Sequence, residues 1–431
     1  MRIDVAAPLK GRRLLVACCG SIAAVKTPLL VSAFVKAGAE VRCVVTPSAS
    51  RLVSPVALAS LSRHRCYQDG DEWSAASPRP LHIELAEWAD LVIVAPLSAT
   101  SLGRWCAGLG DGLIASLLLA TEAPVLAVPA MNTAMWSHPS VRQNWDTIQS
   151  WPLVQLLPPA LGLLACDRHG SGRMAEPERI VLAAASLFSR GEADALVRRD
   201  WLGRRVLVSA GPTLEALDSA RMITNRSSGV MGVLLAQAAA LRGADVALVH
   251  GPLQCPEAWL EGLTSQAIES AAEMQEVLSA SQAGVDAVAM VAAVSDLRRV
   301  NGGDEGKQPK DQLIESMGTG WVLVPDLLQG LSRDRPTGQV VLGFAALAGD
   351  EQQMRGRGET KRLSKGCDLL MVNPIDRPNQ GFGSINNGGW LLDECGCTPI
   401  ECMPKLELAH RLLDRLLDAL PRSQAATPTE S

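Results

Sequence analysis

The sequence predicts an α/β protein made of two doubly wound, Rossmann-like domains in succession. Two stretches carry this prediction: LLVACCGSIAAVK at 14–26 and RVLVSAGPTLEALD at 205–218. In each, an apolar strand runs into a turn of small residues and then into a segment that can begin a helix, where free amides and the helix dipole favour anions. Neither turn has the full glycine-rich or P-loop spacing, and such junctions are also common without phosphate. Both halves are therefore candidate nucleotide-binding units.

Short β-rich runs alternate with helical segments through both halves, which is typical of parallel sheets. After the opening strands, such runs begin at 41, 91, 125 and 154 in the first half, and at 245, 286, 339 and 367 in the second. Charged residues at 189–204 separate the halves, and apolar residues at helical spacing in 404–420 predict a closing helix. We therefore expect a first domain at 1–190, a linker at 191–203, a second domain at 204–420 and a disordered tail at 421–431.

Length and charge limit the class of partner. The chain has 431 residues, of which 47% are hydrophobic. This is enough for roughly two to three domains and excludes a single small domain. The formal net charge of -5 combines both signs and gives no broad cationic face for nucleic acid or anionic lipid. We expect small phosphate-bearing partners, and neither nucleic acid nor a membrane.

The N-terminus has two features of an export signal. Basic residues at 10, 12 and 13 precede an apolar run, and LVAC at 15–18 resembles a lipoprotein cleavage site. The run continues without a break into a helix that ends at Gly38 and then into a strand. It therefore belongs to the fold, and we expect a cytoplasmic protein.

The eleven cysteines are scattered and form no dense framework. A chain of this length does not need disulfides to hold its core, which favours a reducing compartment. Cys395, Cys397 and Cys402 could suggest a metal site, but they lack the usual CxxC pairs of zinc sites. Buried or incidental thiols are the favoured interpretation, although the sequence assigns these three no role.

Polar motifs follow the strands of the first half, where parallel sheets place their ligand chemistry. LHIEL at 81–85, APLSATS at 95–101, PAMN at 129–132 and ACDRHGSGRM at 165–174 together closely resemble the flavin-dependent phosphopantothenoylcysteine decarboxylase family. The resemblance implies that FMN oxidises the substrate thiol towards a thioaldehyde, which makes the adjacent carboxylate a good leaving group.

The same resemblance implies three catalytic residues. His82 accepts or guides a proton, and Asn132 donates a hydrogen bond to the substrate carboxylate. Cys166 gives a proton to the enethiolate after carbon dioxide leaves, beneath a mobile flap that contains glycines 170 and 172. Taken alone, these residues would instead be interpreted as a histidine that caps a helix, an ordinary turn asparagine and a buried structural cysteine.

The implied FMN contacts lie at the ends of neighbouring strands. The phosphate turn comprises Gly20, Ser21 and Ile22, and the polar contacts come from Thr46, Ser98, Thr100 and Ser101. Three residues depart from the family pattern around the flavin, namely Cys19, Val25 and Leu97.

The second half resembles phosphopantothenate-cysteine ligase. AGPTLEALDSARMITNRSSGVMG at 210–232 looks like the opening of that enzyme, and AAVSD at 292–296, GFAA at 343–346, KRLSKGCDLL at 361–370 and NQGFGS at 379–384 keep its order. The resemblance covers nearly all of residues 12–420, as in the bacterial bifunctional enzymes of coenzyme A biosynthesis. It implies that CTP, with Mg²⁺, activates 4'-phosphopantothenate as an acyl-cytidylate that cysteine then attacks.

The resemblance also implies the ligase contacts. Asn225 binds the acyl-cytidylate or the substrate carboxylate, and Arg221 holds the phosphate of phosphopantothenate. The nucleotide contacts are Met290, Val291, Ala292, Asp296, Lys307, Pro325, Asp326, Leu327, Leu328, Phe344, Lys361 and Lys365, with Lys307 also catalytic. The alternatives are that Asn225 and Arg221 only stabilise a loop, and that 361–365 is a solvated helix face. The sequence assigns no metal ligands.

Four departures bear on the ligase half. Leu214 and Val230 replace positive charges of the family pattern, and Val324 and Leu347 replace polar groups. Three hypotheses therefore remain: a bifunctional enzyme, a decarboxylase with an impaired ligase half, and a non-catalytic FMN-binding scaffold. The sequence does not decide between CTP and ATP. The resemblance implies a homo-oligomer with trimeric decarboxylase units and dimeric ligase units.

Overall fold

The computed structural model describes residues 5–74, 78–164, 167–190, 197–300, 306–311, 313 and 317–421. The chain forms two compact units. The first unit contains the described residues up to Arg199 together with Pro256–Gly262, and the second contains Asp200–Cys255 and the described residues from Leu263 onwards. Within these ranges, no helix is both long and apolar enough to cross a membrane.

The first unit is built on a six-stranded parallel sheet. Its strands are Arg13–Cys18 (β1), Glu40–Val45 (β2), Cys66–Gln68 (β3), Leu91–Leu97 (β4), Val125–Pro129 (β5) and Val154–Leu156 (β6), and a separate antiparallel hairpin comprises Ala160–Leu163 (β7) and His169–Arg173 (β8). The strand order is β3-β2-β1-β4-β5-β6. Since the order reverses between β1 and β4, a crevice is expected at their carboxyl ends.

Helices connect these strands and cover the sheet. They are Thr27–Lys36 (α1), Pro55–Ser62 (α2), Leu81–Trp88 (α3), Ala99–Cys106 (α4), Leu113–Ala120 (α5), Thr133–Trp136 (α6), Pro139–Gln149 (α7) and Pro177–Phe188 (α8). β4 is buried along its whole length, as expected for a parallel strand covered on both faces. The run at 14–26, which could have been an export signal, forms β1 and the 3₁₀ helix Ile22–Lys26 within this fold.

The first unit also takes in Pro256–Gly262, whose 3₁₀ helix Glu257–Leu260 contacts α8. Trp259 in this segment is buried at 2% exposure. Nη1 of Arg179, on α8, lies 3.8 Å from Oε2 of Glu261. Burial lowers the pKa of Arg179 and raises that of Glu261, because desolvation disfavours the charged form of each side chain.

The second unit is built on an eight-stranded sheet. Its strands, with those of two small hairpins, are Arg205–Ala210 (β9), Leu214–Asp218 (β10), Arg221–Thr224 (β11), Asp245–His250 (β12), Thr264–Ala267 (β13), Ala287–Met290 (β14), Leu297–Arg299 (β15), Trp321–Leu323 (β16), Val340–Leu347 (β17), Leu369–Pro374 (β18), Asn386–Asp393 (β19) and Gly396–Pro404 (β20). The sheet order is β13-β12-β9-β14-β17-β18-β19-β20. The first six strands are parallel, and β19 and β20 add an antiparallel extension.

The described helices of the second unit are Val230–Leu241 (α9), Ala271–Ser281 (α10), Leu327–Arg333 (α11), Glu351–Lys365 (α12) and Lys405–Ala419 (α13). α9 is buried on nearly all sides, in agreement with its lack of charged residues. α13 is the closing helix expected at 404–420. Trp201 is fully buried in this unit, so the end of the expected linker packs against it, whereas 191–196 and the expected tail at 422–431 lie outside the described residues.

The expected fold class is confirmed, because each unit carries a doubly wound parallel sheet. One local expectation is wrong: the segment after the second opening strand is the hairpin strand β10 and does not begin a helix. Leu214 N donates to Glu269 O at 2.8 Å, and Ala271 N donates to the buried carboxylate of Glu215 at 2.9 Å. These tertiary hydrogen bonds outweigh the helix propensity of the segment. The helix of this junction is α9, further along the chain.

Candidate active sites

The turn after β1 is shaped for close approach of a ligand. At Gly20 a Cβ atom would lie 2.4 Å from Cβ of Ser48, so the turn has no room for a side chain. Ser21 accepts a hydrogen bond from Ala23 N and caps the 3₁₀ helix Ile22–Lys26. The three residues expected at the flavin phosphate therefore form one continuous turn at the carboxyl edge of the sheet.

Hydroxyl groups follow the strands on both sides of β1. Thr46 follows β2, and its Oγ1 accepts from Ala49 N at 3.2 Å. Ser98 follows β4 and caps α4 by accepting from Ser101 N, also at 3.2 Å, with Thr100 in the same first turn. Since β2, β1 and β4 are neighbours in the sheet, these hydroxyls share one edge with the Gly20 turn. The edge suits an anionic, hydrogen-bonding ligand.

His82 is held by a carboxylate that the sequence did not reveal. Its ring Nδ1 lies 2.5 Å from Oε1 of Glu72, and its backbone N–H donates to Oε2 of the same residue at 3.1 Å. The Glu72 side chain is largely buried, whereas the side chain of His82 is 26% exposed. A carboxylate that accepts from Nδ1 leaves Nε2 as the nitrogen able to exchange a proton with a substrate.

Asn132 combines a structural contact with a free donor group. Its Oδ1 accepts from Met135 N at 2.8 Å and caps α6. Among the described residues, its Nδ2 has no hydrogen-bond partner. Asn132 therefore caps the turn that the sequence allowed, and its Nδ2 group is left available for a ligand.

The β7–β8 hairpin lies against the loop that carries Asn132. Met131 N donates to Gly172 O at 2.9 Å, and a Cβ at Gly172 would lie 2.2 Å from Met131 O. A Cβ at Gly170 would lie 2.3 Å from Oγ1 of Thr133. Both glycines are thus required for close packing, in addition to any mobility. In the sequence, Cys166 falls between the residues of β7 and those of β8, and it is outside the described residues.

The second unit contains a cavity of about 520 Å³. It lies at the carboxyl ends of β14, β17 and β18, beside the N-terminus of α9. The nucleotide and substrate residues expected from the sequence that line it are Asn225, Met290, Val291, Ala292, Asp296, Pro325, Asp326, Leu327, Leu328, Phe344, Lys361 and Lys365. Residues from five separate parts of the chain therefore meet at one place.

Asn225 ties two loops of the cavity together. Its Nδ2 donates to the carbonyl oxygens of Ala293 at 3.0 Å and Val294 at 3.1 Å. Oγ of Ser209 accepts from Val291 N and Ala292 N at 3.0 and 3.1 Å. The Nδ2 group of Asn225 is thus occupied, which leaves the carbonyl oxygen of its side chain for a ligand.

The lysines of α12 differ in their surroundings. Lys365 forms an ion pair with Asp326, which also caps α11 by accepting from Gln329 N at 3.0 Å. Lys361 lies one helical turn earlier on the same face, and no acidic side chain among the described residues pairs with it. Of the two lysines, Lys361 is therefore the one that can bind an anion without first breaking an ion pair.

Arg221 and Lys307 do not line the cavity. Nη1 of Arg221 lies 3.0 Å from Oδ2 of Asp218 and 3.4 Å from the carbonyl oxygen of Gln308. A hydrogen bond from the backbone N–H of Ala220 lowers the pKa of Asp218 and keeps it ionised. Lys307 is exposed and directly precedes Gln308 in the chain. The structure thus places Arg221 outside the cavity, in contact with Asp218, and Gln308 N, next to Lys307 in the chain, donates to the same carboxylate at 3.3 Å.

Several cavity residues were not singled out in the sequence. They are the buried polar side chains Asn373, Asn387 and Lys405, together with Phe382. Phe382 lies within the NQGFGS motif, which was an available signal. Lys405 begins α13, and its position showed only that a helix starts there.

The departures from the family pattern fall in different surroundings. Val230 and Val324 are among the residues that line the cavity, although Val230 is only 1% exposed. Leu347 is 2% exposed and packs in the core, where a carboxylate would be costly. Leu214 belongs to the β10–β11 hairpin. In the first unit, Cys19 is fully buried, and burial raises the pKa of its thiol.

The remaining cysteine group shows no metal geometry. Cys395 and Cys402 are exposed, and Cys397 is half-buried. They belong to β20 and the turn before it. Within the described residues, no group of three or more His, Cys, Asp or Glu side chains could hold a metal ion.

Comparisons with known proteins cover both units. The family model "Flavoprotein" matches residues 3–189, and "DNA/pantothenate metabolism flavoprotein C-terminal domain" matches residues 201–420. The Coenzyme A biosynthesis bifunctional protein CoaBC of Bacillus subtilis (strain 168) is 34% identical over 414 residues, which are 95% of this chain and 97% of that protein. The protein of the same name from Escherichia coli (strain K12) is 34% identical over 409 residues, with the same two shares.

Two solved structures each match one part of the chain. A mutant PPC decarboxylase complexed with pantothenoylaminoethenethiol is 37% identical, with a TM-score of 0.38, and covers 41% of this chain and 97% of that chain. "Crystal structure of the C-terminal Domain of Coenzyme A biosynthesis bifunctional protein CoaBC" is 26% identical, with a TM-score of 0.40, and covers 51% and 97%.

A flavoprotein unit followed by a pantothenate-metabolism unit defines a bifunctional flavoprotein enzyme. The chain belongs to the family of coenzyme A biosynthesis bifunctional proteins. The resemblance drawn from the sequence is thereby confirmed. Its implications of coenzyme A biosynthesis and of an enzyme with decarboxylase and ligase activities are confirmed with it.

Proposed function

We propose that the second unit joins cysteine to 4'-phosphopantothenate with CTP, and that the first unit decarboxylates the product to 4'-phosphopantetheine with FMN. The cavity of the second unit is the observation that carries this proposal, because residues expected at a nucleotide from five parts of the sequence line it. Its volume of about 520 Å³ is also typical of a small-molecule site.

FMN fits the polar edge of the first unit. The Gly20 turn lacks space for a Cβ, so its backbone N–H groups can approach a phosphate, and Thr46 and Ser98 add hydroxyl groups at the neighbouring strand ends. Bound there, FMN would supply the electron sink for oxidation of the substrate thiol.

The chain's own residues handle the carboxylate and the protons. The free Nδ2 group of Asn132 would orient the substrate carboxylate without neutralising its charge. His82, oriented by Glu72, would exchange a proton through Nε2. We propose Cys166 as the proton donor to the enethiolate that remains after carbon dioxide leaves, because a thiol keeps its proton at neutral pH.

In the second unit, the triphosphate of the nucleotide is the main negative charge that the protein has to bind. Lys361 would contact the triphosphate, and the exposed carboxylate of Asp296 could share Mg²⁺ with phosphate oxygens, since Mg²⁺ often uses one or two carboxylates plus phosphate. The carboxylate of phosphopantothenate attacks the α-phosphorus of CTP and pyrophosphate leaves. The amine of cysteine then attacks the acyl carbon and CMP leaves. The roles of Arg221 and Lys307 stay predictions.

We further propose self-association, with trimeric flavin units and dimeric ligase units. Three apolar side chains on the first unit, Ile22, Val25 and Leu29, are each more than half exposed, which supports a contact with another copy. The ten cysteines that the structure describes are free thiols, as suits the reducing cytoplasm expected from the sequence.

The deciding experiment supplies 4'-phosphopantothenate, cysteine, CTP and Mg²⁺ to the purified protein. Pyrophosphate, the cysteine adduct and 4'-phosphopantetheine are then followed by mass. We expect all three products and a yellow protein. Decarboxylation of supplied adduct without adduct formation would instead support an impaired ligase half, to which apolar Val230 and Val324 in the cavity wall point. Neither reaction, with the yellow colour retained, would support the scaffold hypothesis. Replacing CTP with ATP tests the choice of nucleotide.

A further inference from the structure

Lys405 is a buried cation in the wall of the second unit's cavity. It is the first residue of α13, only 5% exposed, and it lines the cavity. Burial lowers the pKa of its ammonium to about 8. A charged group in such a place is costly unless polar partners surround it, so its partners indicate its role.

Lys405 holds one short segment at both ends. Its Nζ donates to the carbonyl oxygen of Gly381 at 3.2 Å, and its backbone N–H donates to the carbonyl oxygen of Ile385 at 3.0 Å. Gly381 and Phe382 also line the cavity. The φ of Gly381 is +84°, a conformation that favours glycine, so this residue turns the segment towards the cavity wall.

The ammonium has donor capacity to spare. A lysine ammonium carries three N–H groups. In the part of the chain that the structure describes, the carbonyl oxygen of Gly381 is the partner of Nζ, and no carboxylate pairs with it. Two N–H groups at the wall of a cavity suited to phosphorylated substrates are therefore available to an anion.

We propose that Lys405 is a substrate-binding residue of the ligase half, whose ammonium contacts a phosphate group of a bound substrate and whose hydrogen bonds hold segment 381–385 against the cavity. This inference rests on the proposed ligase function and adds to it a residue and a pH dependence. The phosphate belongs either to the nucleotide or to phosphopantothenate, and separate measurements for each substrate distinguish the two.

The pH dependence follows from the loss of one proton. The other charged side chains that line the cavity are Asp296, Asp326, Lys361 and Lys365, and Asp326 pairs with Lys365. Burial, not a charged neighbour, causes the lowered pKa of Lys405. Above pH about 8 the ammonium becomes neutral, so the KM of the contacted substrate should rise towards about tenfold per pH unit.

The test compares Lys405→Arg and Lys405→Met with the wild-type chain. Ligase activity is measured by pyrophosphate release between about pH 6.5 and about pH 9.5, with the KM of CTP and of 4'-phosphopantothenate determined separately. Arginine stays protonated throughout, so Lys405→Arg should abolish the rise in KM at high pH. Lys405→Met should raise the same KM about tenfold or more at pH 7 and show no further rise. Arg411→Met, an exposed position on the same helix, is the control and should match wild type.

Two results would overturn the inference. One is a rise in KM above pH 8 that Lys405→Arg leaves in place, and the other is a pair of KM values that Lys405→Met leaves unchanged. Thermal unfolding of the whole chain, followed by circular dichroism, checks that the second unit of each variant is folded, and Lys405→Arg alone decides if Lys405→Met is unstable. A wild-type chain that releases no pyrophosphate from CTP would instead overturn the proposed ligase function, so the two failures are distinguishable.

Discussion

Nδ1 of His82 lies 2.5 Å from Oε1 of Glu72, and the other oxygen of that carboxylate accepts the backbone N–H of His82 at 3.1 Å. One carboxylate thus fixes both the ring and the first turn of α3. An imidazole held at Nδ1 presents Nε2 in one tautomer and one direction, which is how orienting carboxylates assist catalytic histidines in other enzymes.

We expect Glu72→Gln to lower kcat for decarboxylation about tenfold to a hundredfold, because the amide fixes the tautomer and ring orientation less well. Bound FMN, followed by visible absorbance, should be unchanged. The control is Glu84→Gln on α3, the helix that carries His82, because the Glu84 carboxylate lies 3.8 Å from Arg42. Equal kcat values for Glu72→Gln and wild type would remove the orienting role.

Gly20→Ala should weaken FMN binding at least about tenfold, because the new Cβ would lie 2.4 Å from Cβ of Ser48 and displace the turn. The readout is flavin content after gel filtration. Adding Ser48→Gly to Gly20→Ala removes the clash and should restore the flavin. Gly70→Ala is the matched control, since nothing lies within 4 Å of its added Cβ. Full flavin content in Gly20→Ala would contradict the prediction.

Lys361→Gln should raise the KM for CTP about tenfold or more, since a charge-assisted hydrogen bond to phosphate contributes about 1.5–3 kcal/mol. Decarboxylation of supplied adduct should not change. Arg355→Gln on the same helix removes an exposed cation that lies 3.7 Å from Glu351, and serves as the control. If both variants shift the KM equally, the effect is one of overall charge and Lys361 has no specific contact.

Arg242→Met should lower the free energy of unfolding by about 3 kcal/mol. Arg242 is almost fully buried and hydrogen-bonds Asp200 at 2.8 Å and the carbonyl oxygen of His410 at 3.1 Å, with Asp414 at 2.6 Å. Its loss leaves these groups without their cation. Chemical unfolding followed by circular dichroism measures the change. The exposed Arg411→Met should stay within about 0.5 kcal/mol of wild type, and a similar value for Arg242→Met would show that the buried network contributes little.

The main strands could be predicted because buried parallel strands consist of continuous β-branched and apolar residues. The run at 91–96, for example, is β4 almost to the residue. The hairpins β10–β11 and β15–β16 could not, because their strands are only three to five residues long and are fixed by partners elsewhere in the fold. Glu215 shows the reason, since its carboxylate bonds Ala271 across 56 positions.

In the two sites, too, some residues could be predicted from the sequence and others could not. Motif order brought most of the cavity residues to notice, because the residues at 290–296 and 344–346 lie at the ends of neighbouring strands of one sheet. Glu72 and Lys405 were missed, since their contacts with His82 and Gly381 span 10 and 24 positions and depend on how loops return to the sheet edge. The resemblance implied that Arg221 holds the phosphate of phosphopantothenate and that Lys307 contacts the nucleotide, whereas in the structure neither residue lines the cavity and Arg221 pairs with Asp218.

The segment Pro256–Gly262 means that cutting the chain between its two halves would not separate the two structural units cleanly. Its flanking residues belong to the second unit, but Trp259 is buried in the first, against α8. A cut in the 191–203 region would leave the first half without its cover over α8 and would release a tryptophan on the second half. We therefore expect the two halves to be less stable when they are expressed as separate polypeptides than as one chain. Joining residues 256–262 to the first half should restore part of its stability.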